Sequence, residues 1–221
     1  DAATPLDQHY VDFLKALKAE GFEGEIAPDY ASRTVLATDN SLYQRLPQAA
    51  VFPRHAGDLE LLGRLAGRET FRKLALTPRG GGTGTNGQSL SDGLVVDVSR
   101  HMNQILEIDV DNRRVRVQAG VVKDQLNAAL RPHGLFFAPE LSTSNRATIG
   151  GMIATDASGQ GSCEYGKTRD HVLELESVLL GGERLVSRPV DEFELAALCA
   201  RKDGVGRVHR VVRDILEREG E

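Results

Sequence analysis

A run of backbone N–H groups with almost no side chains over them is the first chemically suggestive feature of this chain. It is Pro78-Arg79-Gly80-Gly81-Gly82-Thr83-Gly84-Thr85-Asn86-Gly87. Such a run can curl into a nest that cradles the oxygens of a phosphate. Gly82, Gly84 and Gly87 also satisfy a G-x-G-x-x-G spacing. A Rossmann-type site needs that loop to open a helix. Here Gln88-Ser89-Leu90 runs straight into a Ser91-Asp92-Gly93 turn, which leaves no room for one. A P-loop is excluded because no Lys-Ser or Lys-Thr follows the glycines. A plain hairpin loop is the bland alternative, but three successive glycines cost backbone entropy that a simple turn does not require. Arg79, at the mouth of the loop, can pair with phosphate or be solvated.

A second stretch, Thr148-Ile149-Gly150-Gly151 continuing through Asp156-Ala157-Ser158-Gly159 to Tyr165-Gly166, has a different logic. Thr148 reads as the N-cap of a short helix over 149–155, which would aim free N–H groups at a ligand. Two glycines inside so short a helix cost about 1 kcal/mol each against Ala. They let something lie flat on the backbone, either a ligand or a closely packed strand. Glu140, among Phe136, Phe137 and Leu141, would have a raised pKa if buried; a hydrogen bond to backbone is its simpler role. Ser142, Thr143 and Ser144 have no Ser-His-Asp context, which excludes a hydrolase nucleophile. The six histidines are scattered without metal spacing, and His171 reads as a loop anchor. Cys163 and Cys199 are isolated, so no zinc or iron–sulfur site is encoded.

The elements that must position these stretches alternate. A helix opens the chain, with Thr4 and Asp7 as a capping-box-like pair, Pro5 at its first position and Gly21 closing it. A polar stretch to Pro47 reads as irregular or weakly helical. Strands 49–52, 74–77 and 94–98 with a helix over 58–68 make a β-α-β unit and a small, partly parallel sheet. A hairpin over 105–118, a helix over 122–130 closed by Gly134, and a hairpin over 172–187 follow. The charged tail reads as two short helices. The fold class is therefore α+β, with four segments: an N-terminal helical extension (1–47), a first subdomain (48–104), a second (105–188) and a helical tail (189–221).

Of 221 residues, 40% are hydrophobic and 27% charged, an ordinary composition for a folded domain. The formal net charge of −5 argues against a dedicated nucleic-acid binder. No apolar run is long enough to span a bilayer, and the first residues lack the pattern of a signal peptide. A cytoplasmic location is the expectation.

The glycine run Pro78 to Gly84, then Ala147-Thr148-Ile149-Gly150-Gly151, Asp156 to Gly159, and Tyr165-Gly166 with the hairpin after it resemble one known family. It is the PCMH-type FAD-binding domain of the vanillyl-alcohol oxidase / p-cresol methylhydroxylase superfamily. The resemblance is nearest to its FAD-linked 2-hydroxy-acid dehydrogenases, such as those acting on D-lactate or D-2-hydroxyglutarate, including long bacterial members fused to an iron–sulfur module. It covers residues 49–187. It implies two α+β subdomains with FAD between them: a small β-α-β subdomain and an antiparallel sheet with helices. It also implies that the backbone of Arg79, Gly80, Gly81, Gly82, Thr83, Gly84 and Thr85 binds the pyrophosphate. Pro139, Glu140 and Ser142 would lie on the second wall. Thr148, Gly150 and Gly151 would approach the flavin, and Thr155, Ala157, Ser158 and Gly159 would line the cofactor further along.

The sequence departs from the family in places. Asp156-Ala157-Ser158-Gly159 stands where relatives often carry Asn-Ala-Gly-Gly. Thr83 stands near the His that links flavin covalently in some members, so non-covalent FAD is expected. The family's Gly-x-Glu-Gly strand and its substrate domain with catalytic His and Arg residues are not in this sequence. The chain therefore reads as the N-terminal fragment of a flavin-dependent oxidoreductase acting on a small 2-hydroxy acid and passing electrons to a separate acceptor. Catalytic residues, and any iron–sulfur centre, would lie beyond it. The alternative is a non-catalytic nucleotide-binding or scaffold module of the same fold.

Overall fold

The computed structural model describes residues 5–219. The chain packs into two units, Asp1–Asp58 with Lys73–Val172, and Leu59–Arg72 with Leu173–Glu221. In the first unit, α1 (Gln8–Ala19) buries Phe13, Leu14 and Leu17, as their helical spacing requires. Asp7 caps it by accepting the His9 N–H at 2.8 Å, while Pro5 precedes the helix and does not open it. Thr4, the other half of the expected capping pair, lies outside the described residues. Gly21 follows the helix at φ +92°.

The polar stretch is more ordered than its composition suggested. From Pro28 to Pro47 it holds α2 (Tyr30–Val35), capped by Asp29, and β1 (Glu25–Ala27) stands just ahead of it. A three-residue strand is too short to display alternation in sequence. β2 (Ala49–Phe52) is an all-apolar run buried along its whole length, the pattern of a strand covered on both faces. α3 (Ala56–Ala66) starts in this unit, and Asp58 near its start is buried. The Asp58 carboxylate accepts the N–H groups of Glu23 at 2.9 Å and Arg54 at 2.8 Å.

β3 (Leu76–Arg79) and β4 (Leu94–Asp97) complete the sheet in the order β1-β2-β4-β3. β2 and β3 both run parallel to β4, and β1 runs antiparallel to β2. β3 begins later than expected and continues through Pro78 to Arg79. Proline is tolerated there because β3 is an edge strand. No helix separates β3 from β4, as the turn at Ser91–Gly93 predicted. At the end of the sheet, Glu25 holds Arg100 and His101 at 2.7 Å each, and Arg100 lies 3.5 Å over the Phe52 ring.

β5 (Ile105–Asp109) and β6 (Arg114–Val117) form the first hairpin, with Arg113 at φ +54° in its turn. α4 (Lys123–Leu130) is followed by a 3-10 turn that Gly134 ends at φ +68°. Then come α5 (Ile149–Ala154) and α6 (Ser162–Tyr165). Val121, Leu126, Leu130, Ala147, Ile149 and Met152 make the core here, with Ile105, Ile108, Val115 and Val117 packed against it. One face of the hairpin and one face of α4 are thereby buried against α5, which fixes the second glycine stretch.

In the other unit, β7 (Leu175–Val178) and β8 (Arg184–Ser187) form a hairpin of their own. Among the described residues, the antiparallel strands beyond the four-stranded sheet thus form two separate two-stranded ribbons and not one continuous sheet. The β7–β8 turn packs on α3, where the Gly181 N–H donates to Gly63 O at 3.0 Å. The tail forms α7 (Glu192–Ala200), capped by Asp191, and α8 (Gly204–Glu219). The first turn of α8 is buried, while Val211, Val212, Ile215 and Leu216 further along are exposed.

Candidate functional site

β3 ends at Arg79 and delivers the first glycine stretch at the edge of the sheet. α5 carries the second. The structure brings them into direct contact. A Cβ on Gly80 would sit 2.2 Å from Thr148 Oγ1, and one on Gly81 would sit 2.1 Å from Arg146 O. Neither approach tolerates a side chain. Arg146 Nη2 also donates to Gly81 O at 3.2 Å, so the Gly81 carbonyl is held from the α5 side. Thr148 is only 1% exposed and sits between the two stretches, its Oγ1 accepting the Gly151 N–H at 3.3 Å.

The backbone donors of the two stretches are met in different ways. Among the described residues, the N–H groups of Gly81, Gly82, Thr83, Gly84 and Thr85 meet no acceptor. Gly81 to Gly84 are half-buried. Consecutive unpaired N–H groups in a partly buried loop demand an acceptor from outside the chain. Gly82, at φ +63°, gives the run its curl through a conformation that glycine adopts without strain.

The N-terminus of α5 behaves otherwise and corrects the expectation of free donors there. The Ile149 N–H donates to Val121 O and the Gly150 N–H to Ala119 O, both at 2.8 Å. Gly151 is capped by Thr148, and the Met152 N–H reaches Thr148 O at 2.9 Å. Gly150 packs on Ala119, whose Cβ lies 2.7 Å from where a Gly150 Cβ would stand. The first turn of α5 is therefore satisfied within the protein, and Gly150 serves close packing.

The Arg79 side chain is not solvated. It is 7% exposed. Its Nη2 donates to Thr38 O at 2.8 Å, and its Nη1 lies 3.4 Å from Leu36 O and from Ser89 Oγ. The side chain turns inward because the carbonyls of residues 36 and 38 offer it acceptors below the loop. Burial pushes this guanidinium down from its ordinary pKa, opposed by Asp97 and Asp39 and reinforced by Arg146.

A cleft of about 300 Å³ opens beside the loop, lined by Thr38, Asp39, Asn40, Gly82, Thr83 and Arg146, among others. Thr38, Asp39, Asn40 and Arg146 are additions that sequence reasoning missed. Residues 38–40 belong to no motif, and only the sheet order brings them alongside the loop. Arg146 stands two residues before Thr148, which was a usable signal. Asp39 accepts the Ser41 N–H at 2.8 Å and Ser89 Oγ at 3.1 Å. Burial works against its ionised form, but these hydrogen bonds prevail and hold its pKa below the usual carboxylate value.

The remaining expected residues fall into smaller groups. Gly84 packs against the Gln88 side chain, and Thr85 is exposed. Pro139 is buried, while Glu140 and Ser142 are exposed, so Glu140 does not sit buried among its apolar neighbours. Gly159 presses on the Glu140 backbone, a Cβ there lying 2.2 Å from Glu140 O. Thr155 Oγ1 donates to Gly151 O at 3.1 Å. The Ala157 carbonyl accepts Thr168 Oγ1 at 2.7 Å. The exposed Ser158 keeps an N–H without an acceptor among the described residues. His171 does anchor its loop, with Nε2 2.7 Å from Tyr165 O. Cys163 is exposed, Cys199 is buried, and no metal-binding group of side chains occurs among the described residues.

Comparison with known proteins agrees with this geometry. The FAD binding domain family matches residues 47–187. The chain is 69% identical over 213 residues to a D-2-hydroxyglutarate dehydrogenase of Pseudomonas putida, covering 96% of this chain and 21% of that protein. It is 33% identical over 181 residues to the glycolate oxidase subunit GlcD of Bacillus subtilis, covering 79% of this chain and 38% of that one. In three dimensions it matches 6-hydroxy-D-nicotine oxidase from Arthrobacter nicotinovorans with a TM-score of 0.67 at 25% identity, over 79% of this chain and 38% of that one. The chain thus spans about a fifth of the length of its D-2-hydroxyglutarate dehydrogenase relative. Motif order, fold and family match agree: the chain belongs to the FAD binding domain family, with the PCMH-type fold.

Proposed function

We propose that this chain is the FAD-holding part of a flavin-dependent dehydrogenase that oxidises a D-2-hydroxy acid of the 2-hydroxyglutarate, lactate or glycolate kind. The observation that carries the reading is the row of five unpaired N–H groups from Gly81 to Thr85. Their donor chemistry fits the two phosphates of FAD, and they stand where Gly80 and Gly81 admit no side chain. FAD, when bound, supplies the hydride acceptor. The chain's own residues bind and orient it. The loop donates to phosphate, Thr148 and Arg146 hold the loop against α5, and the free N–H of Ser158 is a further donor. Identity to the Pseudomonas putida enzyme favours a dicarboxylate hydroxy acid as substrate. Residues that hold the acid, and the acceptor that takes the electrons, belong in this reading to the four-fifths of that relative's length outside the match.

The flavin is held without a covalent bond, since Thr83 has no nucleophilic nitrogen. The visible spectrum of the purified chain with added FAD tests both points. Flavin bands that survive desalting and are released by denaturation are expected. A chain that takes up no flavin and gains no thermal stability in excess FAD would sink the reading. Flavin that stays on the denatured polypeptide would overturn its non-covalent part.

A further inference from the structure

We propose that Asp39, ahead of the region matched to the family, is a positioning residue for the phosphate-binding loop, acting through Ser89 and Arg79 to hold both feet of that loop. The inference rests on the function proposed above. The loop leaves the sheet at Arg79 and is back in the protein interior at Ser89, both buried. Arg79 Nη1 lies 3.4 Å from Ser89 Oγ and 3.5 Å from Ser89 O, which ties the two feet together. Asp39 accepts Ser89 Oγ at 3.1 Å. Arg79 in turn donates to the carbonyls of Leu36 and Thr38, in the same turn as Asp39.

That turn has a framework of its own. The Arg45 N–H donates to Ala37 O at 2.9 Å, Thr38 bridges Gln44, and the Ser41 N–H binds Asp39 at 2.8 Å. The far part of the loop also rests on it, since a Cβ on Gly87 would stand 3.0 Å from the Tyr43 ring. The acidic groups facing the buried Arg79 are Asp97 and Asp39, and the basic one is Arg146. Removing the Asp39 carboxylate leaves Ser89 without its acceptor and Arg79 with one counter-charge fewer. Both effects loosen the feet between which the row of free N–H groups is strung.

The test compares wild type, Asp39→Ala, Asp39→Asn, Ser89→Ala and the Asp39→Ala/Ser89→Ala double variant in FAD titrations followed by flavin fluorescence. A second readout is the 15N order parameters of Gly80 to Thr85 in the ligand-free chain. Asp39→Ala should weaken FAD about tenfold or more, the effect of losing a charge-assisted hydrogen bond. Asp39→Asn keeps one acceptor oxygen but loses the second and the charge, so its affinity should fall between those of wild type and Asp39→Ala. The double variant should lose less affinity than the sum of the two single losses, because both changes break the Asp39–Ser89 link. Loop order parameters should fall in Asp39→Ala while those of β4 hold. Wild-type affinity and loop order in Asp39→Ala, or strictly additive losses in the double variant, overturn the proposal. If wild type takes up no FAD, the proposed function fails, and unchanged loop order in Asp39→Ala then overturns the positioning role separately. If Asp39→Ala does not fold by circular dichroism, Asp39→Asn and Ser89→Ala decide it. Wild-type affinity and order in both overturn it.

Discussion

Gly81 is the residue at which the two halves of the site are closest, with Arg146 against it through both main chain and side chain. Gly81→Ala forces a methyl into the Arg146 carbonyl. Overpacking of this kind costs about 1–3 kcal/mol, so the urea midpoint should fall while the denaturant slope stays constant. FAD affinity should fall with it, because the separation of Gly81 from Arg146 tilts the peptide that presents the Gly82 N–H. Gly82→Asp acts differently. Asp tolerates a positive φ better than most residues, but its Cβ would stand 2.5 Å from Arg79 Nη2, so that guanidinium has to shift, and circular dichroism checks that the fold survives. Its carboxylate, placed at the row of N–H groups, competes with phosphate, and flavin should be lost on desalting. Retained flavin in Gly82→Asp would remove the loop from the binding site.

At the scale of elements, α5 depends on Thr148 more than its six residues suggest. The side chain caps the helix and fills the space that Gly80 leaves open. Thr148→Ala should cost about 1 kcal/mol as a lost cap, seen by denaturation, and should raise the mobility of residues 80–82 in relaxation measurements. A stability equal to wild type would reduce Thr148 to a bystander. Asp58 makes a similar joint at the start of α3, and Asp58→Ala leaves the Glu23 and Arg54 N–H groups without acceptors. A loss of about 2 kcal/mol or more is expected for two charge-assisted hydrogen bonds, read from the same urea curves.

Much of this architecture was legible. Ala49–Phe52 reads as a strand by being apolar throughout, the Leu94-Val95-Val96 run reads as one after the Ser91-Asp92-Gly93 turn, and Thr148 marks the start of α5. Glycines with no helix after them pointed away from a Rossmann turn, and among the described residues no helix separates β3 from β4. Directions were not legible. The sequence at Arg79 says guanidinium but not inward, because the carbonyls that receive it come from residues 36 and 38. Nor does composition reveal that the N–H groups of α5 are already spoken for by residues 119 and 121. Pairings of that sort bridge 28 to 43 residues of chain, which local patterns do not encode.

For the whole molecule, charge sets a clear dependence on acidity. Arg100, with His101, holds Glu25 below the usual carboxylate range, and Asn112 does the same for Asp109. The Arg201 side chain, with the Gly206 N–H, brings Asp203 down to about 2. Each folded value lies below its unfolded one. These groups therefore contribute stability that is fully present above about pH 5 and is lost as pH falls toward 2. Urea midpoints measured at pH 7, 4, 3 and 2.5 should decline only at the acid end. Arg201→Ala should shallow that decline, and a midpoint independent of pH down to 2.5 would contradict the assignment.

The candidate site draws on residues 38–40, 79–89 and 143–148, parts of the chain far apart in sequence. A polypeptide emerging from the ribosome holds the nest residues long before Thr148 and Arg146 exist to press on them. Contacts of such sequence separation form late, after the loop-closure entropy between them has been overcome. Acquisition of flavin by a growing chain would then mark the moment at which this unit has finished folding, and stalled chains ending before residue 148 should remain colourless.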